Sequence, residues 1–138
     1  MASSTAAGIL FVCPSTGRML LGFRSEYVNA PFCWSVVGGT LESGEEPEHG
    51  ALREAREEVG YSGQVTLVPS LVYVRPENFR YYNFIGLVEK EFRPELNDEH
   101  VDARWFYPDR APSPLHHGTA LLLHRARSQV MRAAAGGY

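Results

Sequence analysis

The chain has 138 residues, 44% hydrophobic and 21% charged, which suits one domain with its own core and excludes a disordered or fibrous protein. No apolar run approaches the roughly 18 residues of a membrane span, so no membrane partner is expected. With 13 basic against 16 acidic side chains the net charge is −3, so no stable nucleic-acid binding is expected either.

Residues 1–7 are small and polar with no basic flank, and do not read as a signal peptide. Cys13 and Cys33 sit among apolar residues and lack the spacing of zinc ligands. They read as two reduced, buried thiols, and the protein as cytoplasmic. Residues 8–13 form an apolar run that stops at Pro14; 19–23 return from the turn as a second strand. Residues 25–31 are polar loop, and 34–37 a short strand ended by Gly38 and Gly39. After a glycine-containing loop, Pro47 opens the clearest helix, which runs to Val59 with Gly60 as its C-terminal cap. Leu52, Ala55 and Val59 recur at helical spacing and should face a core. Residues 64–74 read as one or two strands broken near Pro69, 80–92 as a long strand, and 102–107 as a short one. Residues 115–132 carry Leu121, Leu122, Ala126 and Val130 in helix-like order, and 133–138 read as a frayed tail. The sum is six or seven strands and two helices in one α/β (α+β) domain. One long helix between the strand groups implies a mixed sheet between helices, without repeated parallel crossovers.

The charge is uneven. From Glu42 to Glu58 there are seven glutamates and two arginines, so this segment is acidic while the rest of the chain is slightly basic. Glu54, Glu57 and Glu58 stand at i, i+3 and i+4 and share about one 100° arc of the helix. Such a face can be merely solvated, since exposed like-charge pairs cost only about 0.2–0.5 kcal/mol. It can also be a site for a hard cation, because clustered oxygen ligands on a rigid element suit Mg2+ or Mn2+. Two carboxylates ~6 Å apart repel by about 3 kcal/mol at an effective dielectric near 20, and a bound cation reverses that sign.

Gly39, Glu45, Arg53, Glu54, Glu57, Glu58 and Gly60 together fit the pattern G-x5-E-x7-R-E-U-x-E-E-x-G-U, where U is a bulky aliphatic. This stretch, residues 39–61, resembles the box of the Nudix (MutT-like) hydrolase family. Trp34 followed by Gly38 and Gly39, and the later Glu99 and Trp105, also match features common in that family. Ala55, Tyr61 and Val37 depart from the pattern, but every box carboxylate is kept. The resemblance implies a single Nudix domain over 1–138, an α/β/α sandwich with the mixed sheet between helices. It implies hydrolysis of a nucleoside diphosphate linked to another group, ADP-ribose-like or a nucleotide sugar, by water attack on phosphorus with Mg2+ or Mn2+. A nucleoside triphosphate pyrophosphohydrolase, a sanitiser of the nucleotide pool, is the alternative, and a non-catalytic nucleotide sensor a third. The partner would be a small-molecule nucleotide. A homodimer is also open to a chain of this family, though no exposed apolar helix demands one.

The resemblance makes Glu57 and Glu58 principal metal ligands, with Glu54 beside them and Glu45 and the Gly39 carbonyl as further candidates. Glu54, Glu57, Arg53 and Glu99 become the catalytic group. In it Arg53 orients a box carboxylate, and Glu99 is a general base or an added ligand. Arg24, Arg75 and Arg80 could contact phosphates or be ordinary surface arginines. Phe79, Tyr81 and Tyr82 could stack on a base or fill the core. Pro76 either marks an ADP-ribose-cleaving subgroup or simply ends a strand. His116 and His117 read as cap and loop.

Overall fold

The computed structural model describes residues 4–138; residues 1–3, part of the small polar start, lie outside the described residues. Along the chain come β1 (Thr5–Cys13), β2 (Arg18–Arg24), β3 (Trp34–Ser35), β4 (Val37–Thr40) and α1 (Pro47–Val59). They are followed by β5 (Thr66–Arg75), β6 (Phe79–Leu87), β7 (His100–Phe106), a 3-10 turn (Pro108–Arg110), α2 (His117–Arg125) and α3 (Arg127–Ala134). The seven strands join in one mixed sheet. β1 lies at its centre. It forms a hairpin with β2 at Val12↔Met19, and pairs antiparallel with β4 at its other end. Its other side runs parallel to β6 from Thr5↔Arg80 to Val12↔Leu87. β7 and β3 pair with β2, and β5 closes the far edge on β6.

The sandwich follows from the sequence of β1. Ala7, Ile9, Phe11 and Cys13 face α1 and meet Ala51, Ala55 and Val59. The alternate residues Leu10 and Val12 face the other way, onto Leu122 of α2 and Val130 and Ala133 of α3. A strand buried on both faces has no polar side to show, which is why its sequence is an unbroken apolar run. Cys13 and Cys33 are both buried free thiols. Ala55 and Tyr61, the departures within the box, are absorbed by packing. Ala55 is 1% exposed against β1, and the Tyr61 ring stacks on Phe92 with centroids 4.1 Å apart.

α1 keeps the limits expected from Pro47 and Gly60. Gly60 takes a left-handed φ of 70°, and its N–H reaches back to the Arg56 carbonyl at 3.1 Å. Other expected elements need correction. The strand at 34–37 is two strands: the chain bends at Val36, whose N–H donates to Thr119 Oγ1 at 3.0 Å, and passes from β2 to β1. The break near Pro69 is a register shift between Pro69 and Val72 inside one strand. The strand expected to reach 92 leaves the sheet after Leu87. The helix at 115–132 is interrupted at Ala126, so the described residues hold three α-helices and not two; the apolar spacing carries on across the break and hides it. Residues 133–138 are not simply frayed. Ala133 is fully buried in α3, and the Gly137 N–H donates to the Arg132 carbonyl at 2.8 Å. Among the described residues, no helix is long and apolar enough to cross a membrane.

Candidate active site

α1 presents its acidic residues at the edge of the face it buries. Glu54 and Glu58, four residues apart, fall on one row of the helix beside Ala51 and Ala55, and are 8% and 2% exposed. Glu99 approaches from the loop before β7. One carboxylate oxygen of each of the three lies within 4.8 Å of the others. β4 supplies the floor. The Gly38 N–H donates to Glu58 Oε1 at 3.3 Å, and a Cβ on Gly39 would stand 2.7 Å from the Glu54 carboxyl. Burial pushes the Glu58 carboxyl far above the usual carboxylate range, and the Glu54 hydrogen bond, the Glu54 charge and Glu99 push it further. Such crowding of oxygen donors fits a divalent hard cation, which would take the place of the proton.

Glu57 stands outside this cluster. Its side chain is 53% exposed and ion-paired to Arg53 Nη1 at 3.2 Å. At 100° per residue it lies one step further from the apolar arc than Glu54 or Glu58, a ranking a helical wheel could have given. Arg53 is the hub of the acidic loop. Its Nε and Nη2 grip Glu45 at 2.9 and 3.0 Å, Nη1 reaches Glu54 at 3.1 Å, and Nη2 donates to the Thr40 carbonyl at 3.2 Å. The Glu45 hydrogen bond raises the guanidinium above its ordinary value. The same bond, with the Glu42 N–H second, holds Glu45 down at about 2. Glu45 is thus taken up by Arg53 and is not among the clustered carboxylates.

Two residues that sequence reasoning passed over hold the Glu99 side. Ser25, 1% exposed, donates its N–H to the Glu99 carbonyl at 2.9 Å and its hydroxyl to the Asp98 carbonyl at 2.6 Å. His100 is buried with Nδ1 3.8 Å from Glu58 Oε1, and neither ring nitrogen has a hydrogen-bond partner. Burial, with Arg24 adding to it, pushes the imidazole down to about 4, so it is neutral. The one sequence signal for it is Gly22, a glycine inside a strand, which marks a close approach.

A pocket of about 260 Å³ opens beside the carboxylates and shares Gly38 and Gly39 with them. Tyr81 lies along it, stacked on Tyr73 with centroids 5.3 Å apart and its hydroxyl against Gly8 and Gly38. Burial raises its phenol above the ordinary value. Phe79, Arg24 and Arg75 also line the pocket. Arg24 Nε donates to the Asn29 and Ala30 carbonyls at 3.0 Å each, and Arg75 Nη1 lies 3.0 Å from His117 Nε2. Arg80 is exposed outside the lining, and Tyr82 packs at the rim of the α1-side core. His116 caps α2, its Nδ1 accepting from the Gly118 N–H at 3.1 Å. A larger hollow of about 490 Å³ by Leu52, Tyr61 and Glu89 holds none of the clustered carboxylates.

The mixed sheet between helices, with a carboxylate cluster able to coordinate a divalent cation beside a pocket, defines the chain as an α/β sandwich domain. The NUDIX domain family profile matches residues 3–126, and the chain belongs to that family. A Mycobacterium tuberculosis protein named "Putative 8-oxo-dGTP diphosphatase 3" is 30% identical over 133 residues, covering 89% of this chain and 61% of that protein. A Streptomyces rubellomurinus protein named CMP-5'-(N-acetyl-N-hydroxy-3-aminopropyl)phosphonate hydrolase is 28% identical, covering 81% of this chain and 56% of that protein. The chain therefore spans about six-tenths of the length of these curated relatives. The crystal structure of a Nudix hydrolase from M. smegmatis, RenU, superposes with a TM-score of 0.78 at 27% identity, covering 91% of this chain and 84% of that one.

Proposed function

We propose that this chain is a divalent-metal-dependent pyrophosphohydrolase that cleaves nucleoside triphosphates to the monophosphate and pyrophosphate. The observation that carries the reading is the gathering of Glu54, Glu58 and Glu99 within 4.8 Å beside a pocket bordered by the same glycines. These three would hold Mg2+ or Mn2+, with Glu57 and the Gly39 carbonyl on the open side. Such an ion would offset the charge on the phosphoryl oxygens and make the attacking water easier to deprotonate. The chain does the rest by position. Arg53 holds Glu54 and Glu57 at fixed spacing; Glu99, the least buried of the three, is placed to take the proton of the attacking water. The water oxygen bonds to phosphorus as the bridging P–O bond breaks, and pyrophosphate leaves. Tyr81 and Phe79 offer aromatic surface to a base, and Arg75 and Arg24 bring positive charge to the mouth.

The triphosphate reading draws support from the name of the M. tuberculosis relative. It displaces the diphosphate-linked substrate first expected from the sequence. Pro76, offered as a mark of ADP-ribose cleavage, directly follows β5 at the tight turn where Glu77 and Asn78 take positive φ, a role that accounts for it. The name of the Streptomyces relative keeps a nucleotide joined to another moiety as the second reading.

Chromatographic product analysis tests this. The protein, with Mg2+, meets nucleoside triphosphates including oxidised ones, ADP-ribose, nucleotide sugars and dinucleoside polyphosphates, with Glu58→Gln as the control. Metal-dependent release of monophosphate and pyrophosphate, fastest from a triphosphate and lost in the variant, is expected. Faster cleavage of a diphosphate-linked substrate would select the second reading, and no turnover by folded protein would leave a nucleotide sensor.

A further inference from the structure

β7 meets β2 with a register shift: Phe23 pairs with Asp102, but the next residue, Arg24, pairs with His100, so Val101 is an extra residue. On strict alternation from Ala103 and Trp105, which pack on the α1 side, His100 would point to the opposite face. The bulge turns it onto the α1 side, a known effect of such insertions. There its ring lies over Gly22 so closely that a Cβ on that residue would stand 2.6 Å from His100 Cδ2 and 2.8 Å from Nε2. Val101, the displaced residue, is 62% exposed. The sheet thus sacrifices a regular pair and a side chain at Gly22 to bring one imidazole to Glu58.

We propose that His100 is a positioning residue for the carboxylate cluster: seated on Gly22, it presents Nδ1–H to Glu58 and fixes the carboxylate orientation that a divalent cation requires. This rests on the reading of Glu54, Glu58 and Glu99 as a metal site. An imidazole carries at least one N–H, and a buried donor without a partner is costly. Nε2 lies over Gly22 without a polar partner, whereas Nδ1 stands 3.8 Å from Glu58 Oε1. The Gly38 N–H already holds that same oxygen from β4. A shift of about 1 Å brings Nδ1 to bonding distance, and an ionised Glu58 is the acceptor that rewards it. Partners behind a metal ligand, when removed, typically reduce metal affinity about 10–100-fold.

The test is Mn2+ titration followed by electron paramagnetic resonance, without substrate, on wild type, His100→Leu, His100→Asn and Glu58→Gln. His100→Leu should bind about 10–100-fold more weakly, while His100→Asn, whose amide can stand in for Nδ1–H, should recover most of the affinity. Glu58→Gln should abolish binding. In parallel, 15N NMR of the histidine rings in wild-type protein saturated with diamagnetic Mg2+ should show His100 as the Nδ1–H tautomer. Unchanged affinity in folded His100→Leu, or an Nε2–H tautomer in wild type, overturns the proposal; the NMR result decides it alone if the leucine variant does not fold. Wild type that binds no Mn2+ overturns the metal-site reading instead.

Discussion

Burial next to Glu54 and Glu99 pushes the Glu58 carboxyl well above its ordinary value, while Glu45, in the loop before the same helix, is held ionised by Arg53. The two carboxyls respond to pH in opposite directions. An unfolded chain releases the Glu58 proton near 4.5, whereas the folded chain keeps it well above that value. Stability from Glu58 is therefore full below about pH 4.5 and is lost as pH rises toward the folded-state value. Glu45 contributes above about 4.5 and loses its contribution as pH falls toward about 2. Urea unfolding in chelator between about pH 5 and 8 separates them, since of the two carboxyls only Glu58 titrates differently between the two states in that window; His100 and His116, neutral in the fold, also take up protons on unfolding there, but do so in both proteins compared. Wild type should lose stability relative to Glu58→Gln, whose amide mimics the protonated acid; parallel profiles would refute the assignment. Saturating Mn2+ should remove the decline, because the ion stabilises the ionised cluster.

At the scale of elements, β4 and α1 make the site together, and two adjacent glycines distinguish their parts. A Cβ at Gly38 would meet the Ala7 carbonyl oxygen at 2.4 Å and the Gly8 Cα at 2.6 Å, both backbone atoms of β1 that cannot step aside. The three atoms nearest a Cβ at Gly39 would all belong to the Glu54 carboxyl, the end of a flexible side chain. Gly38→Ala should thus lower stability by about 1–3 kcal/mol in a denaturant melt. Gly39→Ala should melt close to wild type but bind Mn2+ more weakly. Equal losses of stability in both variants would contradict this division. The elements also differ in how far the sequence disclosed them. α1 was legible to the residue because Pro47 and Gly60 act on the backbone locally; helical spacing placed Glu54, Glu57 and Glu58 on one arc, which by itself did not tell the buried Glu54 and Glu58 from the exposed Glu57. The bulge at Val101 was not, since an extra residue in a pair exists only relative to the partner strand. His100 therefore fell before the strand read at 102–107, and its relation to Glu58 depends on a contact between β2, β7 and α1. The break at Ala126 was hidden for a similar reason: both helices bury residues on one continuous apolar spacing.

Across the whole molecule, the mixed sheet was foreseeable from one helix standing between two strand groups, yet the strand order was not. Apolar runs say that β1 is buried on both faces without saying which strands flank it. The answer places β1 between β2 and β4 on one side and β6 on the other. That arrangement has a consequence in time. β1 can close its hairpin with β2 as soon as both exist, but Thr5 must wait for Arg80 before its long parallel seam can form. β3, β4, α1 and β5 are all synthesised in between. Until β6 arrives, Ile9, Leu10 and Phe11, each with no exposure in the finished fold, lie on an open strand edge. Pairing across so much chain is slow, so refolding from urea should take milliseconds to seconds and lose yield as protein concentration rises. A concentration-independent yield in light-scattering-monitored refolding would contradict that. The strand best sheltered in the native protein is the one the growing chain leaves uncovered longest.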